Sequence, residues 1–298
     1  MQVDLKSLAV VILNYCSAQE TCALVKQLES FKSNFRIIVV DNNSPDESYE
    51  VLISQLGKMP YVEVLQSKQN KGYSAGNNIG FRYAIEKYHV DGVCVMNPDV
   101  SIPKLSVLET MYSRLFSKEE YGVIGGSTIG IDDIYNPLCS GWNIPGKKEL
   151  VFNLYSGNRR TEKPVHYQML HDNLAAVDCV VGCFFIMKTE LLLKMNYLDE
   201  SFFLYNEENV LGISCKKLGY REVIALDQFY YHNHDFTKHR KKSLAKRISE
   251  AKINYRSRRH FCELYYPSYM QLPLFLIHVL NIAVAAAGCT KSWIRKKI

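Results

Sequence analysis

Short apolar runs alternate with amphipathic stretches along the first 125 residues of the chain. Turn-forming or polar residues bound each run, which is typical of strands buried on both faces of a sheet. The runs are Ser7–Asn14, Arg36–Val40, Tyr61–Leu65, Val93–Met96 and Gly122–Ile124. Helical spacing of the apolar residues between them predicts helices at Ser17–Phe31 (N-cap Ser17), Asp46–Leu56, from the Asn70–Gly80 segment to about Tyr88, and at Pro103–Phe116. This alternation predicts an α/β domain with a doubly wound, mostly parallel sheet.

The pattern becomes less regular in the second half of the chain. Glycine and proline punctuate Ile131–Asn173, which predicts a long irregular segment, and such segments in compact domains tend to be functional. Val177–Met187 is apolar enough to predict a further strand. The remaining predicted elements are a helix that opens at Asn206–Asn209 and stops at Gly219, and two short strands at Glu222–Leu226 and Gln228–Tyr231.

Polar clusters fall at the ends of the predicted strands and at one helix start. They are Asp41–Ser44, Asn97–Asp99, Glu207–Glu208 and His232–His234. Open α/β sheets bind ligands at the carboxyl ends of their strands, so these clusters are candidates for one cleft. Taken alone, Asp99 is better explained as a helix cap or a turn residue, and the helix dipole by itself accounts for Glu207 and Glu208.

Taken together, the clusters suggest metal and acid–base chemistry. Asp99 and His232 offer the oxygen and nitrogen ligands that suit Mg²⁺ or Mn²⁺. One of the two glutamates would then be a general base beside the metal. The glycines of Asn70–Gly80 match neither the dinucleotide-binding nor the P-loop spacing, so those two classes are excluded.

Cysteine usage and the N-terminus indicate a cytoplasmic protein. The nine cysteines include no C-x-x-C pair and sit mostly in apolar runs, as expected in a reducing compartment. Met1–Lys6 leads straight into the first strand without a signal-peptide pattern.

Eight motifs follow one another along the chain: VVILNY (10–15), VVDNNSPDES (39–48), NKGYSAGNNIG (70–80), NPDV (97–100), DCVVGCFFIMK (178–188), LDESFFLYNEE (198–208), KKLGY (216–220) and YYHNH (230–234). In order and spacing they resemble the family 2 glycosyltransferases of GT-A fold, over roughly residues 8–235. Within that family the chain is most similar to the rhamnosyltransferase-like branch, which builds bacterial surface polysaccharides.

The resemblance implies roles for individual residues. Asn97-Pro98-Asp99 stands where the family has D-x-D, so Asp99 would hold Mg²⁺ or Mn²⁺ at the donor diphosphate, together with His232. Glu208 stands at the usual position of the base, but the local pattern departs at Val210, which leaves Glu207 open as the alternative. Donor-binding residues implied are Leu13, Asn14, Tyr15, Asp41, Asn70, Gly72, Asn77, Asn97 and Asp99, and acceptor-binding residues are Gly182 and Asp178.

The implied reaction is an inverting, metal-dependent transfer of a sugar from a dTDP- or UDP-sugar to a growing, lipid-linked glycan. L-Rhamnose is the expectation at the level of the branch, with galactose, glucose or N-acetylhexosamine as alternatives. A nucleotidyltransferase lacks support, because no glycine-rich start followed by a basic residue is present. A catalytically inactive homologue is the non-enzymatic alternative. The sequence leaves the oligomeric state open.

The C-terminal residues differ in character from the rest, which predicts a GT-A domain at 1–237 and a helical extension at 238–298. The extension begins with ten basic residues against a single acidic one between residues 238 and 259. Leu272–Gly288 follows, with 17 residues that are apolar except for His278 and Asn281. A spanning helix needs about 20 apolar residues, so an interfacial or re-entrant helix is predicted, peripheral at the inner face of the cell membrane. No nucleic-acid-reading motif accompanies the basic charge.

Overall fold

A computed structural model of the chain describes residues 3–129, 140–155, 167–233 and 243–295. The chain divides into two compact units. The first consists of Met1–Ile144, Val165–Ser201 and Glu207–His234, and the second of Pro145–Pro164, Phe202–Asn206 and Asp235–Ile298. The predicted boundary at 237/238 lies outside the described residues, and the second unit also takes in two segments from earlier in the chain.

The first half of the first unit follows the predicted alternation. Its elements are β1 (Leu8–Asn14), α1 (Ala18–Ser30), β2 (Arg36–Asp41), α2 (Ser48–Leu56), β3 (Val62–Gln66), α3 (Tyr73–Tyr88) and β4 (Gly92–Met96). The four strands are parallel and lie in the order β3-β2-β1-β4. All five residues of β4 are buried, as the apolar run predicts.

The rest of the chain adds shorter elements. They are β5 (Val100–Ser101), α4 (Ser106–Leu115), β6 (Tyr121–Ile129), β7 (Gly141–Trp142), α5 (Lys147–Tyr155), β8 (Gln168–Met169), β9 (Leu174–Val177), β10 (Cys179–Val180), β11 (Phe184–Lys188), α6 (Thr189–Lys194), α7 (Glu207–Lys217), β12 (Arg221–His232), α8 (Leu244–Tyr265) and α9 (Gln271–Arg295). Helices α5, α8 and α9 belong to the second unit.

The prediction of a mostly parallel sheet is wrong, because the sheet is mixed. Its strand order is β3-β2-β1-β4-β11-β6-β12-β9-β8, and β11 runs antiparallel to both of its neighbours. Strand β9 is also antiparallel to β12. An apolar run predicts a buried strand but carries no information about its direction, which depends on the connections between strands.

Three local predictions also differ from the structure. The single strand predicted at Val177–Met187 is divided among β9, β10 and β11. The two short strands predicted after Gly219 form one strand, β12, with an irregular register between Ala225 and Phe229. Ser17 precedes α1, but its hydroxyl donates to Asn14 Oδ1 at 3.2 Å and does not cap the helix. Gly219 does end α7, with a φ of 79° that glycine adopts without strain.

Hydrophobic cores lie on both faces of the sheet. Successive residues of β1 alternate between them: Val10 and Ile12 join one cluster, and Ala9 and Val11 join the other. Helix α1 covers the first cluster and α3 covers the second. This three-layer packing holds the carboxyl ends of the parallel strands β1 to β4 at one edge of the sheet.

The second unit is built from α5, α8 and α9. The rings of Tyr255 and His278 stack at 4.1 Å between α8 and α9. Arg258 of the basic helix α8 is half-buried: it donates to the Leu150 carbonyl at 2.9 Å, and burial lowers its pKa to about 10. Within the described residues, each helix falls short of the length and apolar character that crossing a bilayer requires.

The packing of α7 generates a stability prediction. A Cβ on Gly212 would lie 2.2 Å from the backbone oxygen of Asp178, so Gly212→Ala forces the helix away from the sheet. Helix propensity alone would make alanine better by about 1 kcal/mol. We expect instead a loss of about 1–3 kcal/mol in the free energy of unfolding, measured by urea denaturation. Ser214→Ala on the same helix is the control, and a Gly212→Ala protein as stable as this control would contradict the packing argument.

Candidate active site

Strand pairing brings Asp99 and His232 together. Strand β5 is antiparallel to β12, with Val100 opposite His232, and the Asn233 backbone N–H donates to the Asp99 carbonyl at 2.8 Å. As a result, Asp99 Oδ2 lies 3.4 Å from His232 Nε2. The two residues stand 133 positions apart in the sequence and meet at the carboxyl edge of the sheet. His234 lies outside the described residues.

The imidazole of His232 is held in its charged form. Burial disfavours the imidazolium, but hydrogen bonds with Asp99 and Cys183 outweigh burial and raise the pKa of His232 to about 10. A metal ion binds only the neutral imidazole, so metal binding at His232 would displace a proton.

The Asp99–His232 pair fits a divalent cation. Two adjacent ligands of one Mg²⁺, each about 2.1 Å from the ion, are roughly 3 Å apart, close to the separation of these two atoms. Carboxylate oxygen and imidazole nitrogen are ligands that Mn²⁺ and Mg²⁺ accept. The described residues contain no group of three His, Cys, Asp or Glu side chains that could hold a metal ion.

The first turn of α7 carries both candidate bases. The side chain of Glu208 packs on Gly182, where an added Cβ would lie 2.7 Å from Glu208 Oε1. The next residue, Cys183, accepts a hydrogen bond at its carbonyl from the Asn97 N–H at 2.8 Å. The side chain of Cys183 also forms a hydrogen bond with His232. A continuous series of contacts therefore runs from Glu208 to the Asp99–His232 pair.

The carboxylate of Asp41 is engaged by neighbouring side chains and backbone of the protein itself. It is fully buried, and its Oδ1 accepts from Asn14 Nδ2 at 2.8 Å and from the Ser44 hydroxyl at 2.6 Å. Its Oδ2 accepts from the Ser44 N–H at 3.0 Å. The carboxylate thus shapes the turn after β2. Leu13 is half-buried and Tyr15 is exposed beside it.

Asn42 joins this turn to the segment before α3. Its Nδ2 donates to Asn70 Oδ1 at 3.1 Å and to the Gly72 carbonyl at 3.2 Å. Asn70 Oδ1 also accepts from the Gly72 N–H at 2.9 Å, and Gly72 has a φ of 99° that favours glycine. Asn77 is buried in α3, where its amide donates to the Tyr73 carbonyl at 3.0 Å. The structure therefore brings most of the implied donor-binding residues to adjoining turns.

The two implied acceptor-binding residues are not side by side. Gly182 contacts Glu208, whereas Asp178 flanks α7 about two turns further along, where its Oδ1 pairs with Lys216 Nζ at 2.6 Å. Its Oδ2 accepts from the Ile144 N–H at 3.0 Å. The carboxylate of Asp178 is therefore engaged in structural contacts.

Sequence reasoning missed four residues that support the site: Asn42, Tyr73, Asn78 and Glu222. Asn78 exchanges hydrogen bonds with the backbone of Leu198, which ties α3 to a distant segment. The N–H of Val180, two residues before Gly182, donates to Glu222 Oε2 at 2.7 Å. A polar residue in an amphipathic pattern carries no sign of burial, so these partners could not be read from spacing. Three of the four, Asn42, Tyr73 and Asn78, do lie inside motifs that the sequence singled out.

Burial, with smaller contributions from Glu208 and Asp178, raises the pKa of Glu222 from its ordinary 4.5 to about 8. Between these pH values the folded state binds more protons than the unfolded state, so stability falls as pH rises. We expect Glu222→Gln to remove this decline, because glutamine stays neutral and still accepts from Val180. Urea midpoints at pH 5, 6, 7 and 8 measure the effect. The exposed Glu86→Gln is the control, and parallel curves for Glu222→Gln and wild type would contradict the assignment.

Comparison with known proteins identifies the family. The sequence profile of Glycosyl transferase family 2 matches residues 9–192. A curated relative, the low-salt glycan biosynthesis hexosyltransferase Agl10 from Haloferax volcanii, is 27% identical over 207 residues, which are 70% of this chain and 61% of the relative. The chain thus spans less than two thirds of that relative's length.

Two solved structures share the fold. A mannosyltransferase, PcManGT from Pyrobaculum calidifontis in complex with GDP-Man and Mn²⁺, has a TM-score of 0.58 and 14% identity, over 97% of this chain and 75% of its own. GalNAc-T7 with UDP, GalNAc and Mn²⁺ has a TM-score of 0.56 and 12% identity, over 78% and 44%. Since the family profile covers more than half of the residues, and the fold agrees, this chain belongs to glycosyl transferase family 2 and has the GT-A fold.

Proposed function

We propose that the protein is a metal-dependent, inverting glycosyltransferase that moves a hexose from a nucleotide sugar to a glycan hydroxyl. The observation that carries this proposal is the series of contacts from Glu208, through Gly182 and Cys183, to Asp99 and His232. It joins a carboxylate base to a pair of metal ligands at the edge where α/β sheets bind their substrates.

Glu208 is the proposed base. Its carboxylate takes the proton from the acceptor hydroxyl while that oxygen forms a bond to the anomeric carbon of the sugar. The bond from the anomeric carbon to the diphosphate oxygen breaks in the same step, which inverts the configuration. The contact of Glu208 with Gly182 favours it over Glu207.

Asp99 and His232 would hold Mg²⁺ or Mn²⁺. A bound divalent ion would stabilise the negative charge on the departing nucleoside diphosphate. Asn97, in place of a second carboxylate, leaves Asp99 as the acidic member of the N-P-D segment. The Mn²⁺ in the two solved relatives supports this assignment.

The proposed donor is a dTDP- or UDP-hexose, with L-rhamnose first because of the branch that the motifs resemble. The curated relative supports a hexose, since it is a hexosyltransferase of glycan biosynthesis. The proposed acceptor is a growing, lipid-linked surface glycan.

The function is tested by measuring the release of nucleoside diphosphate in the presence of Mn²⁺ and a lipid extract as acceptor. The donors compared are dTDP-rhamnose, UDP-glucose, UDP-galactose, UDP-GlcNAc and GDP-mannose. With the active donor we expect Glu208→Gln to lower kcat by about 100-fold or more, because it removes the base. Glu207→Gln is the matched control and should lose less than about tenfold.

Donor binding separates chemistry from folding in these variants. Glu208→Gln should keep the thermal stabilisation by donor and Mn²⁺, while Asp99→Asn should lose its Mn²⁺-dependent part. Equal kcat losses in the two glutamate variants would contradict Glu208 as the base. Absence of release from every donor by the wild-type protein would contradict the function itself.

We further propose that the second unit docks on an anionic bilayer at the inner face of the cell membrane. Six apolar residues at helical spacing along α9 are between 44% and 65% exposed: Leu272, Phe275, Leu276, Val279, Leu280 and Val284. An amphipathic helix with such a face lies in the membrane interface. Its neighbour α8 supplies Lys246, Arg247, Lys252, Arg256 and Arg259, and these charges favour anionic lipids.

Flotation with vesicles of phosphatidylglycerol and phosphatidylcholine tests the docking. We expect binding to anionic vesicles that weakens in high salt and drops about tenfold in Leu272→Ser/Leu276→Ser, because two apolar contacts are lost. Leu193→Ser/Leu218→Ser, two similarly exposed leucines outside the second unit, is the matched control. Equal binding of both double variants, or a dimer in solution that the α9 variant abolishes, would overturn the proposal.

A further inference from the structure

Tyr73 connects the donor side of the site to the base. It is the first residue of α3 and directly follows the Asn70–Gly72 turn. Its hydroxyl donates to the carbonyl of Gly182 at 2.5 Å, across 109 positions of sequence. Burial and the nearby charges of Glu208 and Glu207 raise the pKa of Tyr73 well above its ordinary value, so the phenol remains a hydrogen-bond donor.

The backbone at Gly182 forms the surface on which Glu208 rests. A Cβ there would lie 2.7 Å from Oε1 and 3.1 Å from Cγ and Cδ of Glu208, so the carboxylate and the last part of its side chain follow the path of this backbone. The flanking residues are also anchored: the Val181 N–H donates to Ser140 at 3.2 Å, and the Cys183 carbonyl accepts from Asn97. Tyr73 supplies the anchor at Gly182 itself.

The backbone of Tyr73 is held beside the Asn70–Gly72 turn, two of whose residues are implied in donor binding. Its backbone carbonyl accepts from Asn77, and the preceding Gly72 is held by Asn42 and Asn70. The phenol therefore holds the Gly182 carbonyl at a fixed distance from the Asn70–Gly72 turn. The side chain of Tyr73 thus joins the Asn70–Gly72 turn to the backbone at Gly182.

We propose that Tyr73 is a positioning residue that holds the Glu208 carboxylate at a fixed place relative to the Asn70–Gly72 turn. This role rests on the proposed function, in which Glu208 is the base. A donor bound at the Asn70–Gly72 turn would thereby find the base already in place for the attack of the acceptor hydroxyl. Loss of the phenol hydroxyl then lowers the rate of the chemical step more than the affinity for the donor.

The variant Tyr73→Phe removes this hydrogen bond and keeps the ring. Tyr88→Phe is the matched control, because Tyr88 lies on the same helix and its hydroxyl donates to Glu63 Oε1, also at 2.5 Å. We expect Tyr73→Phe to lower kcat by about tenfold and to change the donor KM by less than about twofold. Tyr88→Phe should retain the wild-type kcat. The melting temperatures of both variants show whether folding is equally affected.

Amide hydrogen exchange supplies a readout that does not need activity. We expect faster exchange of the peptide containing Val181–Cys183 in Tyr73→Phe and wild-type exchange there in Tyr88→Phe. Unchanged exchange would overturn the proposal, and so would faster exchange with an unchanged kcat, or a loss confined to the donor KM. If the wild-type protein released no nucleoside diphosphate from any donor, the proposed function would fail with the positioning role, while exchange would still decide whether Tyr73 anchors Gly182.

Discussion

The antiparallel insertion of β11 between β4 and β6 is the constraint on which the site depends. It places Phe184 opposite Met96, so the residues that precede β11 and follow β4 meet at one edge of the sheet. The Asn97 N–H then reaches the Cys183 carbonyl, and Gly182 lies against Glu208. A parallel β11 would deliver the other end of this strand to the site. The direction of one strand therefore decides whether the candidate base and the candidate metal ligands are neighbours.

Buried polar networks fix the conformation of the turns at this edge of the sheet. Asn14, Asp41 and Ser44 satisfy one another in the turn after β2, and Asn42 extends this network to Asn70 and Gly72. Burying such groups costs free energy unless each finds a partner, so the paired arrangement favours one conformation over its alternatives. Rigid turns around a cleft reduce the ordering that a ligand must bring about on binding. The donor side of the site is accordingly prepared before any substrate arrives.

Charge is distributed unevenly around the candidate site. His232 is held as a cation by Asp99 and Cys183, whereas Glu222 is held neutral by burial. A divalent ion at Asp99 would take the place of the proton on His232, which leaves the local charge higher by one unit. The neutral Glu222 lets the Val180–Gly182 segment be anchored by a carboxyl group without adding a second full negative charge near Glu208. Glutamate thus serves two purposes in two environments: Glu208 is the proposed base, and the buried Glu222 anchors the Val180–Gly182 segment.

The sequence by itself determined the alternation of strands and helices in the first half, the burial of β4, the glycine that ends α7, and the set of motifs that identifies the family. These features depend on periodicity and local conformation, which neighbouring residues encode. Only the tertiary structure decided the direction of β11, the meeting of Asp99 with His232, the hydrogen bonds that Asn14 and Ser44 donate to Asp41, and the hydrogen bond from Arg258 to Leu150. Each of these depends on pairing between residues far apart in the chain, and a local pattern specifies that a side chain is polar but not which partner it meets.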